Sequence, residues 1–167
     1  MFKWIGLVVL SLMLPVSVAH AQKKGSLTPS DYEEIRGLYA KYAFGFDTGD
    51  AALVGSVYAA DGTFVVGGRV MGDSREKITA MVKAPGAGKP AMKHMPTNIL
   101  IEPSDEGARG RSYVALVTFQ EGKAPAVTGG GFYADVIVKT ADGWRFKRRD
   151  FQPFPAGAPA PAPAPAP

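Results

Sequence analysis

The fold is decided by one continuous stretch, which reads Tyr39-Ala-Lys-Tyr-Ala-Phe-Gly-Phe-Asp-Thr-Gly-Asp-Ala-Ala-Leu-Val-Gly-Ser-Val-Tyr-Ala-Ala-Asp-Gly-Thr-Phe64. Apolar side chains recur every three or four residues along residues 32–46, which predicts a helix with one buried face. Thr48-Gly49 ends this helix, and Asp50 is placed to cap a second, shorter one. Asp61-Gly62 then marks a turn. The stretch therefore predicts two helices followed by the start of a sheet.

The residues on either side of this stretch extend the same plan. Thr28 is a suitable cap for the first helix, because Pro29 fits the first helical position. Downstream, Thr63–Val66 and Arg69–Met71 predict a hairpin around two glycines, and Asp73 or Ser74 is placed to cap a third helix. We expect this helix to pack its apolar side on the same core.

The remainder of the domain is predicted to be sheet. Four long strands are expected, over Met92–Glu102, Arg109–Gln120, Thr128–Lys139 and Trp144–Phe151. Because their connections are short and rich in turn residues, successive strands should pair antiparallel. Helices that precede strands indicate an α+β domain, with the N-terminal helices packed on one face of a strongly curved antiparallel sheet.

Both ends of the chain depart from this pattern. Lys3, the apolar run Ile5–Val18 and the sequence Ala19-His20-Ala21 predict a secretory signal peptide over residues 1–21, cleaved after Ala21. The alternative is an uncleaved membrane anchor. We expect a periplasmic or secreted protein with no membrane association after cleavage. Residues 153–167 are rich in Ala-Pro and predict a disordered or extended tail, so the domain spans residues 27–152.

Composition excludes several classes of function. The chain has 46% apolar and 20% charged residues, which is typical of a globular domain. It has no cysteine, which excludes disulfides, thiolate nucleophiles and cysteine-ligated metals. The net charge of +4 is spread along the chain, and the basic cluster Arg145–Arg149 alternates faces, so we interpret it mainly as a solvated edge. We expect no nucleic-acid partner.

Three pieces of the sequence carry a resemblance to a known family: Tyr39–Asp50, Tyr58–Phe64, and Gly131–Asp135 running into Asp142–Arg148. In this order they resemble the SnoaL-like branch of the nuclear transport factor 2 (NTF2-like) superfamily. The resemblance covers residues 27–152. It implies a cone-shaped fold in which a bent antiparallel sheet wraps around helices and encloses a pocket. The family includes scytalone dehydratase, ketosteroid isomerase and polyketide cyclases, and also non-catalytic binding and assembly modules. The resemblance also implies that the protein forms a homodimer.

His94 is the first candidate catalytic residue. It is the only histidine that remains after residues 1–21 are removed, and an imidazole can donate or accept a proton near neutral pH. The resemblance to scytalone dehydratase places it where that enzyme has a pocket histidine. The alternative is a structural histidine at the sheet edge.

Asp47 is the second candidate. It lies at the end of the first helix, where the helix dipole disfavours a negative charge, so it needs a partner. The resemblance aligns Phe46-Asp47 with a Tyr-Asp pair of the dehydratase, and we expect Asp47 to orient His94 or to act as the base. The alternative is an Asx-turn that only closes the helix. The sequence departs from the dehydratase at Phe46 and at Tyr113, which stands near the place of a second pocket histidine.

Five polar residues are candidates for the lining of the ligand pocket. A tyrosine hydroxyl or an amide can donate to a ligand oxygen, although buried tyrosines more often fill a core. On a regular strand Asn98 shares the face of His94, and Tyr133 shares a face with Asp135. The candidates are Tyr42, Tyr58, Asn98, Tyr113 and Tyr133.

The sequence favours neither a metal nor a cofactor. Apart from His20, the chain has a single histidine and no clustered carboxylates, and its glycine-rich segments lack the spacing of a phosphate-binding loop. Two functions remain open. One is cofactor-independent proton transfer on a small, mostly apolar molecule, by a lyase or isomerase. The other is a non-catalytic binding or assembly module in the periplasm.

Overall fold

The computed structural model describes residues 26–83 and 91–155. The predicted signal peptide, residues 84–90 and the tail from residue 156 onward lie outside the described residues. Within the described ranges, no helix is both long and apolar enough to cross a membrane. The elements are α1 (Pro29–Thr48), α2 (Ala51–Val57), β1 (Tyr58–Val66), β2 (Arg69–Gly72), α3 (Arg75–Ala80), β3 (Ala91–Ser104), β4 (Gly107–Phe119), β5 (Ala126–Thr140) and β6 (Gly143–Pro153).

The helix boundaries follow from the capping residues in the sequence. Thr28 and Asp31 form a reciprocal capping box at the start of α1. The helix ends at Gly49, which adopts a left-handed conformation with φ of 77°. Asp50 accepts a hydrogen bond from the first turn of α2, and Ser74 does the same for α3. The predicted caps are therefore confirmed.

The six strands form one curved sheet in the order β2-β1-β6-β5-β4-β3. The predicted antiparallel meander from β3 to β6 is confirmed. The sheet is nevertheless mixed, because β1 runs parallel to β6. A parallel neighbour is allowed because β1 and β6 are far apart in the chain and joined by helix and sheet rather than by a tight turn.

Strand β6 consequently lies in the middle of the sheet, between β1 and β5. The interpretation of Arg145–Arg149 as mainly a solvated edge is therefore wrong for Arg149, which is only 1% exposed. The sheet has an inner face, which packs on α1 and α2, and an outer face that remains exposed.

The core lies between α1, α2, α3 and the inner face of the sheet. Its members are large aliphatic and aromatic side chains, with ring-to-ring contacts between the tyrosines of α1 and the rings of β5 and β6. The fully buried ones include Ile35, Tyr39, Val54, Val57, Tyr58, Ile78, Ile137 and Phe146. The core therefore contains several hydroxyl groups in addition to its apolar side chains.

Two strand irregularities change which side chains face inward. The pairing of β3 with β4 shifts by one residue between Thr97 and Leu100, and Asn98 there has a positive φ of 52°. The pairing of β5 with β6 shifts between Val136 and Ile137, which leaves Lys147 as the extra residue. Because side chains alternate along a strand, one extra residue reverses the face of everything that follows it.

Candidate functional site

His94 and Asp47 meet where strand β3 passes the C-terminal turn of α1. The Nδ1 atom of His94 lies 2.6 Å from Oδ1 of Asp47. The backbone N–H of His94 also donates to both carboxylate oxygens at 3.1 Å, and the Nζ atom of Lys93 donates to the Asp47 carbonyl at 3.1 Å. Asp47 thus has the partner that its place at the end of a helix requires. We call this pair the His94 dyad.

The geometry of the His94 dyad defines the chemistry of the imidazole. A carboxylate that accepts a hydrogen bond from Nδ1–H holds the tautomer in which Nε2 carries the free lone pair. The same carboxylate stabilises the imidazolium formed when Nε2 takes a proton. The side chains of His94 and Asp47 are 15% and 9% exposed, so the pair is largely shielded from water. Such a pair can act as a general base and then as a general acid.

Aromatic rings surround the imidazole on its inner side. The ring centres of Tyr42 and Phe46 each lie 6.1 Å from that of His94, and they lie 4.8 Å from each other. Phe64 of β1 completes this group against Tyr42. The surroundings of His94 are therefore mainly apolar, which strengthens electrostatic interactions with the dyad.

A second set of polar groups lies deeper on the inner face. Arg149 of β6 and Asp135 of β5 occupy opposite positions in the ladder and are 1% and 4% exposed. The distance from Arg149 Nη1 to Asp135 Oδ2 is 3.6 Å, which is too long for a hydrogen bond. The guanidinium carbon lies 3.7 Å from the ring centre of Tyr133 and 4.2 Å from that of Tyr42. Cation–π contacts therefore supply much of its stabilisation.

Several polar atoms around this pair have no hydrogen-bond partner among the described residues. They are Nε and Nη1 of Arg149, both carboxylate oxygens of Asp135, Oη of Tyr39 and Tyr58, and Oγ of Ser112. We call these five residues the Arg149 cluster. Gly110 of β4 makes room for it, because a Cβ there would collide with the Tyr39 hydroxyl.

Burial sets the protonation states in the Arg149 cluster. It raises the pKa of Asp135 to about 6, although the nearby Arg149 guanidinium acts in the opposite direction. Burial would lower the pKa of Arg149, but the Asp135 carboxylate and the tyrosines raise it above its ordinary value. Burial also raises the pKa of Tyr58 well above its ordinary value. The cluster therefore contains a cation, neutral phenols and a carboxyl group whose pKa is raised above its ordinary value.

Comparison with known proteins identifies the family. The profile of the SnoaL-like domain matches residues 28–150 of the chain. The chain belongs to this family. The resemblance inferred from the sequence is thus confirmed. A search among curated proteins found no match.

Solved structures share the fold of this SnoaL-like domain at low sequence identity. An NTF2-like protein with a cystatin-like fold from Novosphingobium aromaticivorans has a TM-score of 0.67 and 23% identity over 77% of this chain and 85% of that one. ActVI-ORFA from Streptomyces coelicolor has a TM-score of 0.66 and 23% identity over 73% and 96%. A candidate scytalone dehydratase from N. aromaticivorans has a TM-score of 0.62 and 20% identity over 81% and 95%. At these identities the similarity shows the fold alone.

The SnoaL-like domain brings together five of the seven residues predicted for the site. Asp47 and His94 are in contact, and Tyr42, Tyr58 and Tyr133 lie on the inner face. Tyr42 links the two sets of polar groups, because its ring contacts both His94 and the Arg149 guanidinium.

Asn98 and Tyr113 are not part of this arrangement. The bulge in β3 turns Asn98 away from the face of His94, so that Asn98 is exposed and lines an outer depression with Leu100 and Phe132. Tyr113 is 52% exposed and packs near Phe154 on the outer face. The expectation that these two residues line the inner pocket is therefore wrong. The regular alternation of β4 places Ser112 and Val114 inward instead.

Sequence reasoning did not assign Arg149 to the site. Strict alternation places it on the face opposite Trp144 and Phe146, and the extra residue Lys147 reverses that assignment. Asp135 was predicted to share a face with Tyr133, and the structure places both side chains on the inner face. Arg149 could have been found from Asp135, because a carboxylate that faces the core needs a cation on the neighbouring strand.

The described residues offer no arrangement for a metal ion. Within residues 26–83 and 91–155, no three His, Asp or Glu side chains lie close enough to bind one.

Proposed function

We propose that this SnoaL-like domain binds a small, mostly apolar molecule and catalyses its dehydration, isomerisation or cyclisation without a cofactor. The observation that carries the proposal is the 2.6 Å contact between His94 Nδ1 and Asp47 Oδ1 beside the rings of Tyr42 and Phe46. A shielded imidazole with an oriented carboxylate is the arrangement that general acid–base catalysis requires.

In the proposed reaction, Nε2 of His94 removes a proton from the carbon next to a ligand carbonyl. The electron pair of that C–H bond forms an enolate, and Asp47 stabilises the imidazolium that results. For a β-hydroxy ketone, the enolate then expels the hydroxyl group, which leaves as water after it takes the proton from Nε2. For an isomerisation, the same proton returns to a different carbon of the ligand.

Tyrosine hydroxyls supply the hydrogen bonds to the enolate oxygen in this proposal. Tyr42 and Tyr133 lie beside each other on the inner face, with ring centres 5.8 Å apart. Burial raises the pKa of Tyr42 well above its ordinary value, so that its hydroxyl stays protonated as a donor. A donor fixed before the reaction stabilises developing charge without reorganisation.

The comparisons support this choice among the activities of the superfamily. One structure of the same fold belongs to a candidate scytalone dehydratase, which is consistent with water elimination from a hydroxylated ring. We therefore propose β-hydroxy ketones and related cyclic enols as the substrate class.

Turnover of a panel of β-hydroxy ketones, followed by ultraviolet absorbance of the conjugated product, tests the proposal. His94→Ala should reduce kcat/KM by about two to four orders of magnitude. Asp47→Asn should reduce it by a smaller factor. Met95→Ala, on the opposite face of the same strand and 42% exposed, is the matched control and should retain activity. Activity of His94→Ala within about tenfold of wild type would reject His94 as the acid and base and favour the non-catalytic module.

We also propose that the outer face of the sheet is covered by a second copy of the chain. Leu100, Tyr113, Phe132 and Phe154 expose 46%, 52%, 37% and 50% of their surface on this face. Monomeric proteins rarely expose such a continuous apolar patch. Arg111 and Glu102 form an ion pair beside this apolar patch. In a two-fold symmetric dimer each copy would therefore present one positive and one negative side chain to the other.

The molar mass in solution, measured by light scattering, tests the homodimer. Phe132→Glu should give a monomer. Met71→Glu, which changes an equally exposed apolar residue of β2, should not change the mass. A monomeric wild-type protein would contradict the proposal.

We propose, finally, that the protein is exported and that residues 1–21 are removed. The support is the sequence pattern alone. The protein recovered from the periplasm or medium of its host should have the intact mass of a chain that begins at Gln22. A protein retained in the cytoplasm with an intact N-terminus would contradict export.

A further inference from the structure

The Arg149 cluster is an unusual way to fill a protein core. Each buried polar group without a hydrogen bond destabilises the fold, because it loses its bonds to water and gains none. In the Arg149 cluster this applies to atoms of five residues that converge from α1, β1, β4, β5 and β6. The same chain satisfies Asp31, equally buried, with Thr28, Lys139 and Trp144. The Arg149 cluster therefore lowers the stability of the fold, which indicates that it serves another role.

Five of the seven unpartnered atoms in the cluster can donate a hydrogen bond. The donors are Nε and Nη1 of Arg149 and the hydroxyls of Tyr39, Tyr58 and Ser112, and the only acceptor with charge is the Asp135 carboxyl group. Hydroxyls can also accept, but the guanidinium cannot. The group that would satisfy this set is an oxygen with lone pairs and negative charge.

The position of the cluster connects it with the His94 dyad. The ring of Tyr42 lies 4.2 Å from the guanidinium carbon of Arg149 and 6.1 Å from the ring centre of His94. Both sets of groups face the helical layer from the inner side of the sheet. Tyr42 therefore separates the two sets by about the width of one ring, and a ligand that contacts both would have to span that width.

We propose that the Arg149 cluster binds the acidic oxygen of the ligand, a phenolate, enolate or carboxylate, while His94 acts on the carbon skeleton at the other end. This inference rests on the proposed function and narrows its substrate class to molecules that carry an ionisable oxygen about one ring away from the reacting carbon. Arg149 forms the charged contact, and Tyr58 and Tyr39 donate to the same oxygen. Asp135 holds the guanidinium in place, and Ser112 lies beside it on β4.

Binding of 4-nitrophenol tests the inference, because its phenol and phenolate forms absorb at different wavelengths. The purified protein should bind the phenolate form, so that the apparent pKa of bound 4-nitrophenol falls below that of the free molecule. Arg149→Met should weaken binding by about ten- to a hundredfold, as expected for a charge-assisted hydrogen bond, and abolish the pKa shift. Arg148→Met, an exposed neighbour on the same strand, is the matched control.

Tyr58→Phe provides a test that does not depend on the folding of an Arg149 variant. It removes one buried hydroxyl that has no partner in the described part of the chain. If the hydroxyl serves a ligand, the variant should melt at the same temperature or a few degrees higher, and 4-nitrophenolate should bind about two- to tenfold more weakly. A purely structural cluster predicts unchanged binding.

The outcomes separate this inference from the proposed catalysis. Arg149-dependent binding of phenolate, together with unchanged activity in His94→Ala, would keep the binding site and reject the acid–base role. Loss of activity in His94→Ala, with equal phenolate binding by wild type, Arg149→Met and Tyr58→Phe, would overturn the inference alone. Failure of the wild-type protein to bind 4-nitrophenol or benzoate at millimolar concentration would also overturn it.

Discussion

Two buried carboxyl groups, one on α1 and one on the inner face of the sheet, have opposite hydrogen-bonding environments. Asp31, at the start of α1, accepts hydrogen bonds from the backbone and hydroxyl of Thr28, from Lys139 Nζ at 2.7 Å and from Trp144 Nε1 at 2.8 Å. Asp135, in the middle of the sheet, lies near the Tyr39 hydroxyl and the Arg149 guanidinium but makes no close hydrogen bond to the described residues, and its distance to Arg149 Nη1 is 3.6 Å. The first is arranged for stability, and the second is left available for another role.

The pKa values of the two groups follow from this difference. The hydrogen bond from the Lys139 ammonium lowers the pKa of Asp31 well below its ordinary value, although burial opposes the effect. Burial raises the pKa of Asp135 to about 6. Relative to the unfolded chain, folding therefore favours the charged form of Asp31 and shifts Asp135 towards its neutral form.

The largest effect is expected from removal of the satisfied carboxylate. Asp31→Ala leaves the indole N–H of Trp144 and the first turn of α1 without their acceptor, so it should reduce the free energy of unfolding by about 3 kcal/mol. Lys139→Ala, which removes a half-exposed partner, should cost about 1 kcal/mol or less. Urea unfolding measures both. Equal effects of the two variants would show that Asp31 contributes only a surface ion pair.

The second prediction concerns the change of folding stability with pH, to which Asp31 and Asp135 contribute with opposite signs. The folded protein binds more protons than the unfolded chain at Asp135 between about pH 4 and 6, so this group makes stability fall as pH rises through that window. Asp31 contributes stability that is lost as pH falls below about 4. The two slopes cancel near the ordinary pKa of a carboxyl group, so stability should be greatest near about pH 4.

Urea unfolding of wild type and Asp135→Asn at several pH values measures the contribution of Asp135. The decrease in stability of the wild-type protein between about pH 4 and 7, expected to be on the order of 2–3 kcal/mol, should be largely absent in Asp135→Asn. The same slope in both proteins would show that Asp135 does not titrate in this range.

The smallest effect is expected at the edge of the Arg149 cluster. Ser112 is 3% exposed, and its hydroxyl has no partner in the described part of the chain. Ser112→Ala should therefore raise the free energy of unfolding by about 0.5–1 kcal/mol. Thr128→Ala, at an exposed position of β5, is a control that should change stability by less than about 0.5 kcal/mol. A clear loss of stability in Ser112→Ala would show that the cluster is satisfied by water in solution.

Local sequence signals predicted the helices and the antiparallel pairing of β3 to β6 well. The caps at Thr28, Asp50 and Ser74 are correct because capping depends on side chains within three residues. The parallel pairing of β1 with β6 was missed, because it joins segments about eighty residues apart and leaves no local pattern.

The limits of prediction at the site have one physical cause. His94 precedes the bulge in β3, and the contact with Asp47 expected from the resemblance is present. Asn98 and Arg149 lie at or beyond bulges, and strict alternation assigned both to the wrong face. A bulge adds one residue without a strong sequence signature, so face assignments fail downstream of it.

The tautomer of His94 tests the central claim most directly, because the chain without residues 1–21 contains a single histidine. Nitrogen-15 NMR of protein made without a histidine tag, near neutral pH, should show Nδ1 protonated and bonded to a carboxylate, with Nε2 as the basic nitrogen. Asp47→Asn should remove this signature. A signal from the Nε2–H tautomer, or a ring unaffected by Asp47→Asn, would contradict the account.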